Sequence, residues 1–188
     1  MQHVYPDVPR YVLDSTSDPD MDKLMPDAIH IEGNHPPDLL HSADRTLIWT
    51  PRNSKIPREY AHWFSQLNDA RRPAIVIIDE VASITKQALE ELEALFKQFR
   101  KHGGTVVAET QRIAKVDSDM FSQVSHFWLF RINPEPYDIL QARAYLQIPK
   151  EEFQMPRNKY GFHYRKTRSG FPAEEFVDYH QFFGNSLY

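Results

Sequence analysis

Two adjacent acids, Asp79 and Glu80, stand directly after the most apolar stretch of the chain, residues 74–78. That stretch contains no polar residue, so it lacks the alternation of a half-exposed strand, and Pro73 precedes it. The pattern predicts a strand buried on both faces, as in a parallel α/β sheet. Ligands of open α/β sheets bind beyond the carboxyl ends of the strands. Paired carboxylates at that edge suit Mg²⁺, which prefers carboxylates together with phosphates and water.

The composition is that of an ordinary globular domain. The 188 residues are 41% hydrophobic and 26% charged, as expected for a soluble domain of this size. The net charge of −4 gives no overall basic field for nucleic acid, although a local basic patch is compatible with it. Without cysteine, disulfides and thiolate metal sites are excluded, which fits a reducing compartment. Neither a membrane span nor a signal-peptide layout is present, so we expect a cytoplasmic protein, in the host cytoplasm if viral.

Apolar runs and helical spacings alternate along the chain in the order typical of a parallel sheet. Thr85 is expected to cap the longest helix, and Gly103 to end it in the left-handed conformation. In the last helix, Tyr137, Leu140 and Ala144 are expected along one apolar side. The predicted strands cover 10–14, 28–31, 46–49, 74–78, 104–108 and 126–130, and the predicted helices cover 19–25, 56–70, 85–101, 117–124 and 134–146.

The composition changes after residue 150. Residues 160–165 and 175–183 form two further strand patterns around the turn 167–170, which predicts an antiparallel hairpin at the edge of the sheet. We therefore expect one domain over 1–188, made of an α/β core at 9–148 and a hairpin extension at 150–188.

The ordered set of motifs resembles the HerA/FtsK-type P-loop ATPases, a group that includes DNA translocases and packaging ATPases of membrane-containing viruses. The matching features are the strand ending at 79–80, the amphipathic helix and glycine pair after it, and the strands ending at 110–111 and 130–131. The resemblance covers most of 9–148. It implies a mostly parallel P-loop-type sheet flanked by helices, and a nucleic-acid-translocating or genome-packaging ATPase.

The same resemblance implies roles for individual residues. Asp79, on the Walker B strand, would hold Mg²⁺ through water, Glu80 would activate the attacking water, and Gln111 would sense the γ-phosphate of ATP. ATP, Mg²⁺ and a homo-oligomer with an arginine finger are implied as well, with Arg131 and Arg112 as candidates for the finger. Purely structural roles for the same residues stay open. The two acids could begin a solvated loop and cap the next helix, and Gln111 could cap a short helix. Each arginine could form a surface salt bridge.

The phosphate-binding motif of that group, Gly-x-x-x-x-Gly-Lys-Ser/Thr, is missing from this sequence. It should precede Tyr11, but the first glycine is Gly33, and no Gly-Lys pair occurs anywhere. We therefore expect this chain alone neither to bind ATP tightly nor to hydrolyse it. In the related ATPases the strand before this loop lies between the strands that end here at Glu109 and Arg131.

Two strands left without that neighbour would expose unpaired backbone groups. Three explanations stay open. The chain is the carboxyl part of a longer ATPase, or another chain donates the strand, or the two strands pair directly. The last would leave a non-catalytic, ATPase-derived structural or interaction module, for example on a viral particle.

A second candidate site is a basic stretch with aromatic residues between its charges. Bases stack on aromatic rings while phosphates meet basic side chains, so the stretch could contact nucleic acid. The alternative is an edge hairpin whose charges prevent aggregation, which the sequence favours slightly over a nucleic-acid contact. The histidines match no metal-ligand spacing. The basic residues are Arg157, Lys159, Arg165, Lys166 and Arg168.

Overall fold

The computed structural model describes residues 8–39, 46–53, 55–130, 135–151, 153, 162–166 and 174–176. The chain divides into two compact units, residues 1–110 and residues 111–188. The expected single domain over 1–188 stays a prediction.

The first unit is built on a five-stranded sheet in which every pair of neighbours is parallel. The strand order is β2-β3-β1-β4-β5, so the apolar run after Pro73 lies inside the sheet. Its strands are β1 (Arg10–Leu13), β2 (Ile29–Glu32), β3 (Thr46–Thr50), β4 (Ile75–Ile78) and β5 (Thr105–Ala108). Its helices are α1 (Met21–Leu24), α2 (Pro57–Asp69), α3 (Val81–Thr85) and α4 (Leu89–Gln98), followed by a 3₁₀ turn at Phe99–His102.

An aromatic cluster joins α2 to the sheet. Tyr60, Trp63 and Phe64 project from one face of α2 at helical spacing, and Trp49 of β3 contacts the first two. The ring of Trp49 lies 5.7 Å from both Tyr60 and Trp63 between centroids, and all four side chains are fully buried. Pro57 starts the helix, where its missing N–H costs nothing. The predicted helix 56–70 and strand 46–49 are confirmed.

The predicted helix 85–101 is wrong as one element, because the chain forms α3 and α4 with a break between them. Thr85 is the last residue of α3 and does not cap a helix start. The backbone N–H groups of Gln87 and Ala88 both return to the Ile84 carbonyl, which closes α3 before α4 begins. Gly103 does end the segment in the left-handed region, with φ 78°.

The second unit contains a three-stranded antiparallel sheet in the order β6-β7-β8. Its strands are β6 (His126–Phe130), β7 (Phe162–Lys166) and β8 (Glu174–Phe176), and its helices are α5 (Ser118–Gln123) and α6 (Pro136–Leu146). The antiparallel hairpin expected after residue 150 is confirmed by β7 and β8, while residues 177–183 of its predicted second strand lie outside the described residues. Residues 126–130 form the expected strand, and its partner among the described residues is β7, in the antiparallel direction. The place of this strand in the parallel sheet stays a prediction.

Within the described residues, β5 is hydrogen-bonded to a strand on one side only, namely β4, and β6 only to β7. The three explanations for the missing strand stay predictions.

Helix α6 buries a different side from the one predicted. Tyr137 is 72% exposed and Leu140 54% exposed, while Asp138, Ala142 and Leu146 are completely buried. These three are spaced by four residues and therefore share a face. The apolar pattern failed because Asp138, a carboxylate, lies on the buried side, where its charge is matched by hydrogen bonds.

Candidate active site

The two acids of the sequence motif leave β4 at the carboxyl edge of the parallel sheet. The strand on one side is β1, and the Asp79 N–H donates to the Leu13 carbonyl at 3.0 Å. On the other side is β5, where the Val81 N–H donates to the Glu109 carbonyl at 2.8 Å. The turn that carries Asp79 and Glu80 is thus fixed to both neighbouring strands.

Glu80 has a left-handed backbone, with φ 48° and ψ 58°. This region is sparsely populated by residues other than glycine, and it persists only where the surroundings hold it. Here the Glu80 carbonyl accepts bonds from the N–H and the hydroxyl of Ser83, at 3.0 and 2.9 Å. Glu80 occupies the N-cap position of α3, yet its carboxylate makes no capping bond. Instead the Thr110 hydroxyl donates to its Oε1 at 2.8 Å.

Asp79 is held from the opposite side, by the loop after β1. The Thr16 hydroxyl donates to the Asp79 Oδ2, and the Ser15 hydroxyl donates to the Asp79 carbonyl at 2.7 Å. Partial burial raises the pKa of Asp79, and the negative charges of Asp14 and Glu80 raise it further, while the bond from Thr16 opposes the change.

Two further acids at this edge were not singled out by the sequence analysis. Asp14, directly after β1, is buried and accepts bonds from the Asp18 N–H at 3.0 Å and the Thr50 hydroxyl at 3.1 Å. Glu109, directly after β5, has its pKa raised by partial desolvation and by the charges of Asp79, Glu80 and Asp18. The signal that could have found them is their position, since each immediately follows an apolar strand.

The donor set at this edge consists of carboxylate and hydroxyl oxygens, the ligands that hard cations such as Mg²⁺ prefer. Desolvation is the largest cause of the raised pKa of Asp79 and of Glu109, and repulsion from neighbouring acids adds to it. A divalent cation would relieve that repulsion. By the chemistry of its donors this edge suits a magnesium ion, and the metal site stays a prediction.

The remaining predicted catalytic residues belong to the second unit or lie outside the described residues. Gln111 is the first residue of the second unit and is exposed, and its role as a sensor stays a prediction. Arg112 donates from Nε to Asp138 at 3.1 Å and from Nη2 to Glu135 at 2.8 Å. This is the ion-paired alternative considered for Arg112. Arg131 lies outside the described residues.

The candidate nucleic-acid stretch is described only in part, because Arg157, Lys159 and Arg168 lie outside the described residues. Arg165 donates from Nη1 to the Tyr145 carbonyl within the second unit. Lys166 pairs with His126 in the strand register. Of the helices that the structure describes, none is long and apolar enough to cross a membrane.

Residues 34–131, just over half of the chain, match the family model described as zonular occludens toxin (Zot). No curated protein sequence matches this chain. Among solved structures, the genome packaging NTPase B204 from Sulfolobus turreted icosahedral virus 2, in complex with sulfate, is similar with a TM-score of 0.58 and 14% identity. The match covers 92% of this chain and 96% of that one.

A second similar structure is the cytoplasmic domain of the type VII secretion ATPase EccC from Thermomonospora curvata. Its TM-score is 0.50 at 11% identity, over 89% of this chain and 25% of that one. At these identities the likeness concerns the fold. It confirms the expected P-loop NTPase-like architecture, with a mostly parallel sheet flanked by helices and a carboxyl-terminal antiparallel hairpin.

Proposed function

This chain belongs to the zonular occludens toxin (Zot) family, and we propose that it is the carboxylate-bearing part of a nucleic-acid-translocating or genome-packaging ATPase. B204, which shares its fold, is named a genome packaging NTPase and has been solved with AMPPCP and with ATP-γS. Those ligands are properties of B204. Their transfer to this chain is part of the proposal.

One observation carries it: Asp79 and Glu80 follow an interior strand of the parallel sheet, at the edge where ligands of such sheets bind. Neighbouring loops hold the two carboxylates separately, Asp79 through Thr16 and Glu80 through Thr110. A solvated loop would leave exposed acids without such partners. The arrangement supports two different tasks for the two side chains.

In the proposed mechanism Asp79 would hold Mg²⁺ through water, and a bound ion would supply positive charge for the transferred phosphoryl group. Glu80 is the general base, and its carboxylate takes the proton of the attacking water. Gln111 orients that water or contacts the γ-phosphate. The carboxylates of Asp14 and Glu109 add negative charge around the pair and thereby favour a bound cation.

The proposal requires a phosphate-binding loop from outside residues 1–188, because no Gly-Lys pair occurs among them. Backbone N–H groups of a glycine-rich loop and its lysine normally surround the phosphates. A segment of the same gene product or a second chain would supply it, adding a strand beside β5. The expected partners are therefore this segment, further copies of the subunit, and nucleic acid.

The test uses the natural gene product that contains this chain, together with its phosphate-binding partner if that is a separate chain. We expect Mg²⁺-dependent ATP hydrolysis, and the Glu80→Gln variant should reduce turnover by about 10²- to 10⁴-fold while ATP still binds. Glu32→Gln, an exposed acid at the end of β2, is the matched control and should hydrolyse ATP normally. Hydrolysis by Glu80→Gln at the normal rate would overturn the proposal.

The second candidate is a non-catalytic, ATPase-derived interaction module. It is favoured by large apolar side chains that are exposed in the second unit, including Trp128 at 39% and Phe130 at 45%. Two results would support this candidate over the ATPase. The natural gene product would bind no nucleotide, and replacing Trp128 by Ser would abolish its binding to a partner protein.

A further inference from the structure

The hydrogen bond from the Thr110 hydroxyl to the Glu80 carboxylate connects two strand ends. Glu80 is the second residue after β4, and Thr110 is the second residue after β5. Their side chains meet at 2.8 Å in a partly buried position. A hydroxyl that donates to a carboxylate forms a charge-assisted bond, which is shorter and stronger than a neutral one.

The backbone of Glu80 has little freedom of its own. Its left-handed conformation is held by Ser83 on the α3 side, and the Val81 N–H that follows is bound to the Glu109 carbonyl. The remaining conformational freedom of Glu80 is the direction in which its side chain points. A general base must lie within hydrogen-bond reach of the proton that it removes, so this direction decides whether Glu80 can act.

We propose that Thr110 is the positioning residue of Glu80, and that its hydroxyl sets the direction of the catalytic carboxylate. The inference rests on the proposed function, because it assigns Thr110 a task in that reaction. Thr110 is also bonded through one peptide to Gln111, the proposed sensor.

The opposite side of the turn provides a built-in comparison. Thr16 holds Asp79 as Thr110 holds Glu80, but from the loop after β1. If each hydroxyl positions its own acid, the two threonines act on different steps. Removal of the Thr16 hydroxyl should raise the Mg²⁺ concentration needed for half-maximal activity, whereas removal of the Thr110 hydroxyl should lower kcat at saturating Mg²⁺.

The experiment measures kcat, KM for ATP and the Mg²⁺ requirement of the natural gene product together with its phosphate-binding segment. Thr110→Val should lower kcat by about 10- to 100-fold, the cost of a misplaced catalytic group, with KM for ATP little changed. Thr110→Ser keeps the hydroxyl and should restore most of kcat. Thr105→Val, the same substitution at the exposed start of β5, is the matched control and should be as active as the unmodified protein.

Thermal unfolding and ATP affinity show whether each variant is folded, and Thr110→Ala repeats the test without a branched apolar side chain if Thr110→Val unfolds. Normal kcat in Thr110→Val or Thr110→Ala, in a protein that Glu80→Gln inactivates, would overturn the positioning role and leave the proposed function standing. Absence of any Glu80-dependent hydrolysis in the unmodified protein would instead overturn the proposed function, and the role of Thr110 with it.

Discussion

The Nε of Arg112 donates a hydrogen bond to Oδ2 of Asp138 at 3.1 Å, and Asp138 is completely buried in the second unit. The other oxygen of Asp138 accepts the Ala114 N–H at 2.8 Å. The carboxylate thus ties the segment after Gln111 to α6. Arg112 appears in the sequence as a candidate arginine finger, and its contacts indicate a role in holding the second unit together.

Replacing Arg112 by Ala should destabilise the second unit. The change leaves the buried Asp138 carboxylate without its cation. The cost is about 1–3 kcal/mol, because Arg112 is itself partly exposed and the Ala114 N–H still bonds to Asp138. The measurement is amide hydrogen exchange, with faster exchange expected at Ala114 and along α6. Arg58→Ala, an exposed arginine in the first turn of α2, serves as the control.

An arginine finger would behave differently. If Arg112→Ala leaves hydrogen exchange unchanged, but inactive Glu80→Gln subunits rescue its hydrolysis when the two are mixed, then Arg112 acts on a neighbouring subunit and the structural role is wrong.

Gly104, at the entry to β5, is predicted to be intolerant of a side chain. A Cβ there would lie 2.3 Å from a ring carbon of Phe99, which is itself buried. Gly104→Ala should therefore lower the free energy of unfolding by about 1–3 kcal/mol through overpacking. Chemical denaturation measures this, and the double variant Gly104→Ala with Phe99→Leu should recover part of the loss. Equal stability of Gly104→Ala and the unmodified protein would contradict the contact.

Tyr60 should make stability depend on pH in the alkaline range. Its burial raises the pKa of the phenol from 10.0 to about 12. Because the folded state binds this proton more tightly, the stabilisation is complete below pH 10 and is lost as the pH rises from about 10 to about 12. The melting temperature of Tyr60→Phe should fall less steeply over that range than that of the unmodified protein. Parallel curves for the two proteins would contradict a buried, protonated Tyr60.

The parts of the fold that follow from local pattern were predictable from the sequence. Residues 74–78 form an interior strand because an unbroken apolar run has no solvated face, and the two acids at its end fall at the expected edge. Helix α2 followed equally from Tyr60, Phe64 and Leu67 at helical spacing. These features depend on the residue pattern within each segment and not on a distant partner.

The failures depended on partners distant in sequence. The apolar run 126–130 predicts a strand, but its antiparallel partner β7 lies more than thirty residues later and cannot be inferred from the run itself. In α6 the buried face is fixed by Asp138, whose burial is sustained by Arg112 and the Ala114 N–H. Thr110 escaped notice for the same reason, since its task is defined only by Glu80 on the neighbouring strand.

The most direct test of the proposed site is to locate the metal ion in the natural gene product with an ATP analogue bound. Crystals grown with Mn²⁺ and a non-hydrolysable ATP analogue show the ion by its anomalous scattering. The account predicts a Mn²⁺ peak beside the Asp79 carboxylate, directly or through one water, with Glu80 facing the γ-phosphate. Nucleotide bound with its Mn²⁺ at another group of carboxylates, and with Asp79 and Glu80 remote from the phosphates, would contradict it.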